Sequence, residues 1–250
     1  GTQHMEADSS MPDWLAQMLH NLILTGQCTD ITRELNDSLM RQVLDSGTVS
    51  TSPDFVLAGT CTTSFQTSGA NRSNNIAVGA SRLNNLIVLP GQTVSVSDTI
   101  LPRTRANGYK EAGVYVNGAH TTGLGGGVCQ ISSTVYNAVK NAGLTVVQRN
   151  PHSMPVSYLP KGLDAAIAAG SKDLKFRNDY TTPVVLYTDT SNKHLTVNVL
   201  VWNQELAGRS FKLWAKQTGA LSADTYFTTY LNGKENSTQF VGTSRYNPYR

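Results

Sequence analysis

One cysteine of this sequence stands where a protein could activate it as a nucleophile. Cys129 follows the glycine cluster of GLGGGVCQ and precedes ISSTVYNAVKNAG, whose apolar residues recur at helical spacing. A helix N-terminus offers unpaired N–H groups and the positive end of the helix dipole, which lower the pKa of a thiol and can stabilise an oxyanion. We therefore predict a nucleophilic Cys129 with oxyanion donors between Gly127 and Gln130; the alternative is a small buried cysteine beside a tight loop.

His152 is the leading candidate for the base that would accept the thiol proton. It lies in RNPHSMPVSYLP, where Pro151 and Pro155 favour an extended, rigid backbone that would fix the direction of the imidazole. His120, nine residues before the cysteine, is a rival base. For either residue the alternative is an ordinary hydrogen-bonded histidine.

Asp164 and Asp173 are the candidates for a third group that orients the imidazole, as cysteine enzymes often require. Each begins a predicted strand after His152, DAAIA in one case and DLKFR in the other. Order along the chain and strand context favour Asp173 slightly. The alternative for each aspartate is an ordinary residue of a turn or a strand end.

Ser132 and Ser133 are weaker candidates for a nucleophile. No G-x-S-x-G elbow surrounds them, and no lysine stands three residues after either one. We expect these serines to cap the helix or to contact the substrate.

Composition excludes several other classes of protein. Of the 250 residues, 39% are hydrophobic and 15% are charged, which is not the composition of a disordered chain. The net charge of +3 is small and the basic residues are scattered, so we predict no nucleic-acid partner. The three cysteines lack CxxC spacing and no phosphate-binding loop is present, so neither a metal site nor a cofactor is predicted.

The spacing of apolar residues predicts an α+β fold. We expect N-terminal helices within Asp13 to Ser46, a further helix that includes Ile76 to Ile87, and a central helix that carries Cys129 at its N-terminus and stops at Gly143. These helices would pack on a mostly antiparallel sheet. The predicted strands are VSVS, GVYV, LTVVQ, DAAIA, DLKFR, PVVLYT, HLTVNVLVW and RSFKLWA, with a hairpin loop at residues 190–193.

The chain is expected to divide into four parts. These are an opening typical of an expression scar at residues 1–10, a helical segment at 11–57, a central unit at 58–188 and a strand-rich extension of the same globule at 189–250. No apolar run is long enough to span a membrane, and no secretion signal opens the sequence. We expect membrane contact only through an anchor that this sequence does not contain.

Several blocks of the sequence, taken in order, resemble the VanW family. They are TTSFQTSGANRSNNI, PGQTVSVSDTILPRTRANGYKEAGVYVNG, GGGVCQISSTVYNA, RNPHSMPVSYLPKGLDAAI and DLKFRND, and the similarity covers roughly Ala58 to Thr188. A long ordered series of specific blocks indicates a family more strongly than a single motif does. Cys61, near TTSF, departs from the family pattern, either as a buried substitution or as a partner for Cys28.

The resemblance implies a peptidoglycan L,D-transpeptidase that forms 3-3 crosslinks between stem peptides. It also implies an exported bacterial protein, in the cell wall or anchored to the membrane and facing the wall, and a link in some members to glycopeptide resistance. The family's cysteine corresponds to Cys129, its histidine to His152, and two of its aspartates to Asp164 and Asp173. The residues expected to contact the stem peptide are Gly127, Gln130, Ser132, Ser133, Tyr158 and Arg103.

Two other functions remain open at this point. The same thioester resolved by water would make the protein a carboxypeptidase or endopeptidase that acts on stem peptides. A wall-binding module without catalysis would instead use polar and aromatic residues to line a groove, namely Arg103, Tyr109, Tyr115 and Tyr158.

Overall fold

A computed structural model describes residues 55–100, 102–116 and 119–249. The helices predicted within Asp13 to Ser46, the opening decapeptide and Cys28 lie outside these residues. The strands are β1 (Phe55–Ser64), β2 (Leu86–Val88), β3 (Thr93–Ser95), β4 (Glu111–Val116), β5 (Ala119–Leu124), β6 (Thr145–Gln148), β7 (Lys175–Arg177), β8 (Val184–Asp189), β9 (His194–Trp202), β10 (Arg209–Gly219), β11 (Ser222–Leu231) and β12 (Lys234–Arg245). The helices are α1 (Ala70–Leu83), α2 (Val96–Thr99), α3 (Val128–Asn141) and α4 (Asn203–Leu206), with a 3-10 turn at Ser191–Lys193.

All strand pairs in the described residues are antiparallel, which confirms the predicted α+β class. The largest sheet has four strands in the order β1-β9-β8-β2. Two three-stranded sheets have the orders β3-β7-β6 and β10-β11-β12, and β4 and β5 form a hairpin. The predicted strand HLTVNVLVW is β9, and the predicted hairpin loop joins it to β8.

The predicted central helix is α3, and it lies in the middle of the core. It packs against β1, β9, β10 and α1. Its apolar stripe is fully buried, as the periodicity predicts: Ile131, Val135, Ala138 and Val139. The helix ends before Gly143, whose φ of 82° is left-handed and stops the helical path.

Close contact between α3 and β1 depends on a glycine of the strand. A Cβ atom at Gly59 would lie 2.2 Å from the carbonyl oxygen of Ala138 and 2.5 Å from the amide nitrogen of Ala142. Because both neighbours are backbone atoms, they cannot turn aside as the end of a side chain could. The sheet therefore positions α3, and with it the residue at the head of the helix.

Two predicted elements differ from those observed. The helix expected to include Ile87 ends at Leu83, because Asn85 has a φ of 61° and turns the chain into β2. The segment DAAIA is not a strand of a sheet. Its backbone bonds to separate partners: the N–H of Ala165 donates to Ser133 Oγ at 2.9 Å, and the N–H of Ala166 donates to the carbonyl oxygen of Asn150 at 2.7 Å.

Gly59→Ala tests the close backbone contact between β1 and α3. We expect a loss of about 3 kcal/mol in the free energy of unfolding, because the added methyl group overpacks a rigid backbone contact. Urea unfolding measures the change. Gly242→Ala in β12 is the matched control, since a Cβ atom there meets nothing within 4 Å; equal stabilities of the two variants would contradict the prediction.

Candidate active site

The glycine loop before α3 needs glycine for two different reasons. Gly127 is the residue that caps α3, and its φ of 106° lies in the region that side chains disfavour. Gly126 has no room for a Cβ atom, which would lie 2.6 Å from the carbonyl oxygen of Gly113 in β4. The loop thus passes tightly along the β4–β5 hairpin and places Cys129 in the first turn of the helix.

Cys129 is a free, partly buried thiol with partners on two sides. Its Sγ atom lies 3.3 Å from the carbonyl oxygen of Ile167 and accepts the N–H of the same residue at 3.4 Å. On the other side lies the side chain of His152, which is near enough to lower the pKa of the thiol. The segment after Asp164 therefore forms one wall of the sulfur's environment.

His152 is held in a fixed direction by Asp164. Its Nδ1 atom lies 2.7 Å from Asp164 Oδ2, and its backbone N–H donates to the same oxygen at 2.8 Å. Because Nδ1 faces the carboxylate, Nε2 is the ring nitrogen left to serve Cys129. This is the order of contacts that a nucleophile, a base and an orienting acid require.

Asp164 is only 1% exposed, and donors surround its carboxylate. The second carboxylate oxygen, Oδ1, accepts the hydroxyl of Tyr246 at 2.5 Å and lies 3.5 Å from Nη2 of Arg149. Arg149 also donates from Nε to the carbonyl oxygen of Asp164 at 2.8 Å. The buried charge is therefore paired and hydrogen-bonded, as burial of a carboxylate demands.

The three groups shift one another's pKa values towards an ion pair. Burial raises the pKa of the Cys129 thiol, but His152, the backbone of Ile167 and the charge of Arg103 together outweigh burial and leave this pKa below its ordinary value. Burial lowers the pKa of His152, while its interactions with Asp164 and Cys129 raise it to about 9. Burial raises the pKa of Asp164, and the bonds from His152 and Tyr246 lower it to about 2. The shifts of Cys129 and His152 both act in the direction of a thiolate beside an imidazolium.

Asp173, which the sequence favoured as the orienting acid, makes its contacts elsewhere. Its carboxylate accepts Ser95 Oγ at 2.5 Å and the N–H groups of Ser97 and Leu174 at 3.0 and 2.8 Å. These bonds tie β7 to the start of α2. The geometry thus corrects the preference: Asp164 and not Asp173 contacts the imidazole.

Ser132 and Ser133 are fully buried and point to the segment that follows Asp164, so the expectation of substrate contact is not met. Ser132 Oγ donates to the carbonyl oxygen of Ala165 at 2.6 Å, and Ser133 Oγ bonds both polar backbone groups of the same residue. The two serines fix the distance between α3 and this segment. Their role in the structure is to position Asp164 and Ile167.

An open cleft of about 1240 Å³ leads to Cys129 and His152. Four of the predicted substrate contacts line this cleft, namely Gly127, Gln130, Tyr158 and Arg103. The amide of Gln130 is already engaged, because Nε2 donates to Thr63 Oγ1 and to the carbonyl oxygen of Ser64, both at 2.9 Å.

The other residues considered from the sequence divide between the cleft and the core. His120 lines the cleft from β5, where its ring lies against Gly113. Tyr109 is 1% exposed and donates to the carbonyl oxygen of Ile100, so it lines no groove. Cys61 is a free, half-buried thiol of β1 that packs against the core.

Backbone donors for an oxyanion are fewer than the sequence implied. The N–H groups of Val128 and Gln130 already donate to the carbonyl oxygens of Gly125 and Gly127, at 3.3 and 3.1 Å. Within residues 55–100, 102–116 and 119–249, the N–H groups of Gly127 and Cys129 donate to no protein acceptor. The amide of Cys129 itself is therefore the donor closest to a carbonyl that its own sulfur would attack.

Sequence reasoning missed the contribution of the C-terminal tail. Besides the contact from Tyr246, two further bonds come from this tail. The N–H of Asn247 donates to the carbonyl oxygen of Ser153 at 2.7 Å, and the hydroxyl of Tyr249 donates to the carbonyl oxygen of Pro155. These bonds hold the loop that carries His152. No local pattern marks the tail for this role, because its partners stand more than 80 residues earlier in the chain.

Alkylation with iodoacetamide tests the ion pair. Cys129 should react near pH 7 much faster than Cys61, whose pKa burial raises to about 11. In His152→Ala burial still raises the Cys129 pKa, and only Ile167 and Arg103 remain to lower it, so the rate at pH 7 should fall by about tenfold or more. Peptide mass spectrometry gives the rate at each cysteine. His194→Ala, at the start of β9, is the control, and an unchanged Cys129 rate in His152→Ala would refute the pair.

Tyr246→Phe tests the support of Asp164. Folding lowers the pKa of Asp164 from 3.8 to about 2. The charged carboxylate therefore stabilises the native state at any pH above the pKa of the unfolded state. This stabilisation is lost as the pH falls through the lower pKa of the native state. Loss of the hydroxyl should cost about 2 kcal/mol at pH 6. This cost should shrink as the pH falls from about 4 to about 2.

Urea unfolding across this pH range measures the effect of Tyr246→Phe. Tyr230→Phe is the matched control, a tyrosine of β11 remote from Asp164. A cost of Tyr246→Phe that did not depend on pH would show that the hydroxyl acts through the N–H of Gly162, which it accepts at 2.7 Å, and not through Asp164.

Known proteins place the chain in a family. The family model described as VanW like protein matches residues 71–200. The uncharacterized protein YoaR of Bacillus subtilis (strain 168) is 42% identical over 128 residues, which cover 51% of this chain and 42% of YoaR. The vancomycin B-type resistance protein VanW of Enterococcus faecalis (strain ATCC 700802 / V583) is 36% identical over 114 residues, 44% of this chain and 42% of that protein.

These matches cover less than half of each curated relative, and no solved structure matches the chain. The matched residues 71–200 include Cys129, His152 and Asp164, whereas Tyr246 lies outside them. Since the family model covers more than half of the sequence, the chain belongs to the VanW family.

Proposed function

We propose that this protein is a peptidoglycan L,D-transpeptidase that works through a thioester on Cys129. The observation that carries the proposal is the thiol at the head of α3, beside an imidazole that Asp164 orients and that lowers the pKa of the thiol. Such an array favours the thiolate and gives it a proton donor for the leaving group. An open cleft gives a peptide access to both groups.

The reaction begins when the thiolate attacks the carbonyl carbon of the L,D amide that precedes the terminal D-Ala of a stem peptide. The oxyanion forms beside the free N–H of Cys129, where a donor is worth about 100-fold or more in rate. The imidazolium of His152 gives its proton to the leaving amine, the C–N bond breaks, and D-Ala departs. A thioester and a neutral imidazole remain.

An amine of a neighbouring stem then attacks the thioester carbonyl. His152 accepts the proton that the amine loses, the C–S bond breaks, and the thiolate is restored beside the imidazolium. The product is a 3-3 crosslink, and no oxidant or nucleotide enters the balance. Asp164 keeps its charge throughout and holds the ring in one orientation.

The cell-wall setting of the proposal rests on the family and on a relative's name. One relative is named for resistance to vancomycin, an antibiotic that acts on the cell wall. We therefore place the protein outside the cytoplasmic membrane, in the wall or facing it. In the part of the chain that the structure describes, no helix is long and apolar enough to cross a membrane.

Mass spectrometry of the products tests the reaction. Incubation with defined muropeptides should give 3-3 linked dimers and, at short times, a stem peptide joined to Cys129. Cys129→Ala should give neither, whereas Cys61→Ala should keep both, because Cys61 lies in β1 outside the cleft.

Other products would select a different function. Shortened stems without dimers would make the protein a cysteine carboxypeptidase or endopeptidase. Binding to sacculi that survives Cys129→Ala, with no turnover by the unaltered protein, would make it a wall-binding module.

A further inference from the structure

Arg72 lies in the wall of the cleft beside the head of α3, although the sequence offered no reason to select it. Its Nη1 atom donates to Ser68 Oγ at 2.7 Å and to Gln130 Oε1 at 2.9 Å. A Cβ atom at Gly127 would lie 2.8 Å from Arg72 Cγ and 3.5 Å from Arg72 Nε. The absence of a side chain at Gly127 thus allows this arginine to lie across the glycine loop.

Arg103 lies against the same loop at its other end. A Cβ atom at Gly125 would lie 2.3 Å from Arg103 Cγ, and Arg103 Nη1 donates to Ser97 Oγ at 3.0 Å. Both arginines are near enough to Cys129 to interact electrostatically with the thiolate. Two guanidinium groups therefore flank the backbone that leads to the nucleophile.

No aspartate or glutamate of the described ranges lines the cleft to balance these charges. The basic residues that line it are Arg72, Arg103, His120, His152 and Lys172. Among the described residues, no aspartate or glutamate lies within ion-pair distance of Arg72 or Arg103. Burial lowers the pKa of Arg72, which marks a cation that water solvates poorly.

The reaction itself does not supply the missing negative charge. The Cys129 thiolate is already paired with the imidazolium of His152. When the thioester forms, the thiolate and the imidazolium lose their charges together, so the charge of the pair stays at zero. Within residues 55–100, 102–116 and 119–249, no carboxylate balances Arg72, and a negative group of the substrate would provide the missing charge.

We propose that Arg72 binds the free terminal carboxylate of the acyl donor, with Arg103 completing the subsite. The inference rests on the proposed function and names the part of the substrate that this site selects. The carboxylate of the departing D-Ala is only two bonds from the nitrogen of the cleaved amide, so it must lie near the head of α3 when the carbonyl carbon faces Cys129. Arginine suits this role because its planar N–H groups match the two oxygens of a carboxylate.

The subsite makes the enzyme select chain ends over internal bonds. When the chain continues beyond the D-Ala, no free carboxylate lies two bonds from the nitrogen of the cleaved amide. A neutral peptide group stands there instead and would leave Arg72 without a charged partner. The hydrogen bonds from Arg72 to Ser68 and Gln130 hold the guanidinium in place before the substrate arrives. Its remaining N–H groups are available to the ligand.

The experiment compares two donors, a stem tetrapeptide with a free C-terminus and the same peptide as its C-terminal amide. The readout is kcat/KM for release of D-Ala or D-alaninamide, together with acylation of Cys129 by mass spectrometry. The unaltered protein should prefer the acid by about 10- to 100-fold, the range of a charged hydrogen bond. In Arg72→Met the values of kcat/KM for the two donors should lie within about threefold of each other, because only the reaction of the free acid becomes slower.

Two variants control for fold and for charge. Arg105→Met removes an exposed arginine that pairs with Glu111 outside the cleft, and it should keep the preference of the unaltered protein. Arg72→Lys keeps the charge but not the fork of donors and should give an intermediate preference. A variant that merely loosened the loop would slow both donors alike.

Several outcomes would overturn the inference. Equal rates for acid and amide in the unaltered protein would show that no carboxylate is recognised. A preference that persists in Arg72→Met but disappears in Arg103→Met would move the subsite away from Arg72. Acylation of Cys129 by neither donor would instead overturn the transpeptidase proposal as well, so the two failures are distinct.

Discussion

The buried carboxylate of Asp164 is the group on which the arrangement of the site depends. A charge that is 1% exposed is unfavourable unless donors replace the lost water, and here they come from two separate parts of the chain, residues 149–152 and the C-terminal tail. His152 supplies a backbone N–H and a ring nitrogen. Arg149 supplies its guanidinium group, and Tyr246 supplies its hydroxyl. Hydrogen bonds to this one carboxylate therefore bring together residues 149–152, the segment that begins at Asp164 and the C-terminal tail. They also fix the imidazole of His152 before any substrate binds.

The distance from Asp164 to the nucleophile is set by side chains of α3. Ser132 and Ser133 bond the backbone of Ala165, and Cys129 bonds the backbone of Ile167. Alternate residues of an extended segment are thereby tied to the helix that carries the thiol. The polar backbone groups of Ala165 and Ile167 thus serve the helix, while the N–H of Ala166 donates to the carbonyl oxygen of Asn150, so a strand neighbour would have to displace these partners.

The elements that could be predicted from sequence are those in which periodicity and burial agree. The helix α3 carries an uninterrupted apolar stripe and a glycine stop, and β9 is a run of alternating and apolar residues, so both are found where expected. The glycine cluster before Cys129 also indicated the placement of the thiol. In each case the signal is local, because the residues that define the element are neighbours in the chain.

The residues that sequence reasoning missed or misplaced are defined by contacts between distant segments. Asp164 and Asp173 both begin extended segments after His152, and nothing local tells them apart; one meets the imidazole and the other meets Ser95 and Ser97. Ser132 and Ser133 are polar residues of a helix, which normally lie at a surface, yet both are buried against Ala165. Arg72 sits in a helix of ordinary composition and acquires its place only through Gly127.

The part of the chain that builds the candidate active site is larger than the segment that identifies the family. The family match ends at residue 200, but the turn before Asp164 rests on strands that follow it: Thr225 Oγ1 donates to the carbonyl oxygen of Gly162 at 2.7 Å, and the N–H of Gly162 donates to Tyr246 at 2.7 Å. Arg149 reaches Ser244 on the same sheet at 2.9 Å. Without β12 and the tail, the carboxylate of Asp164 would lose the hydroxyl of Tyr246 that bonds it, and Arg149 would lose its contact with Ser244. Cys129, His152 and Asp164 are therefore encoded in the matched region, while part of the support of Asp164 is encoded beyond it.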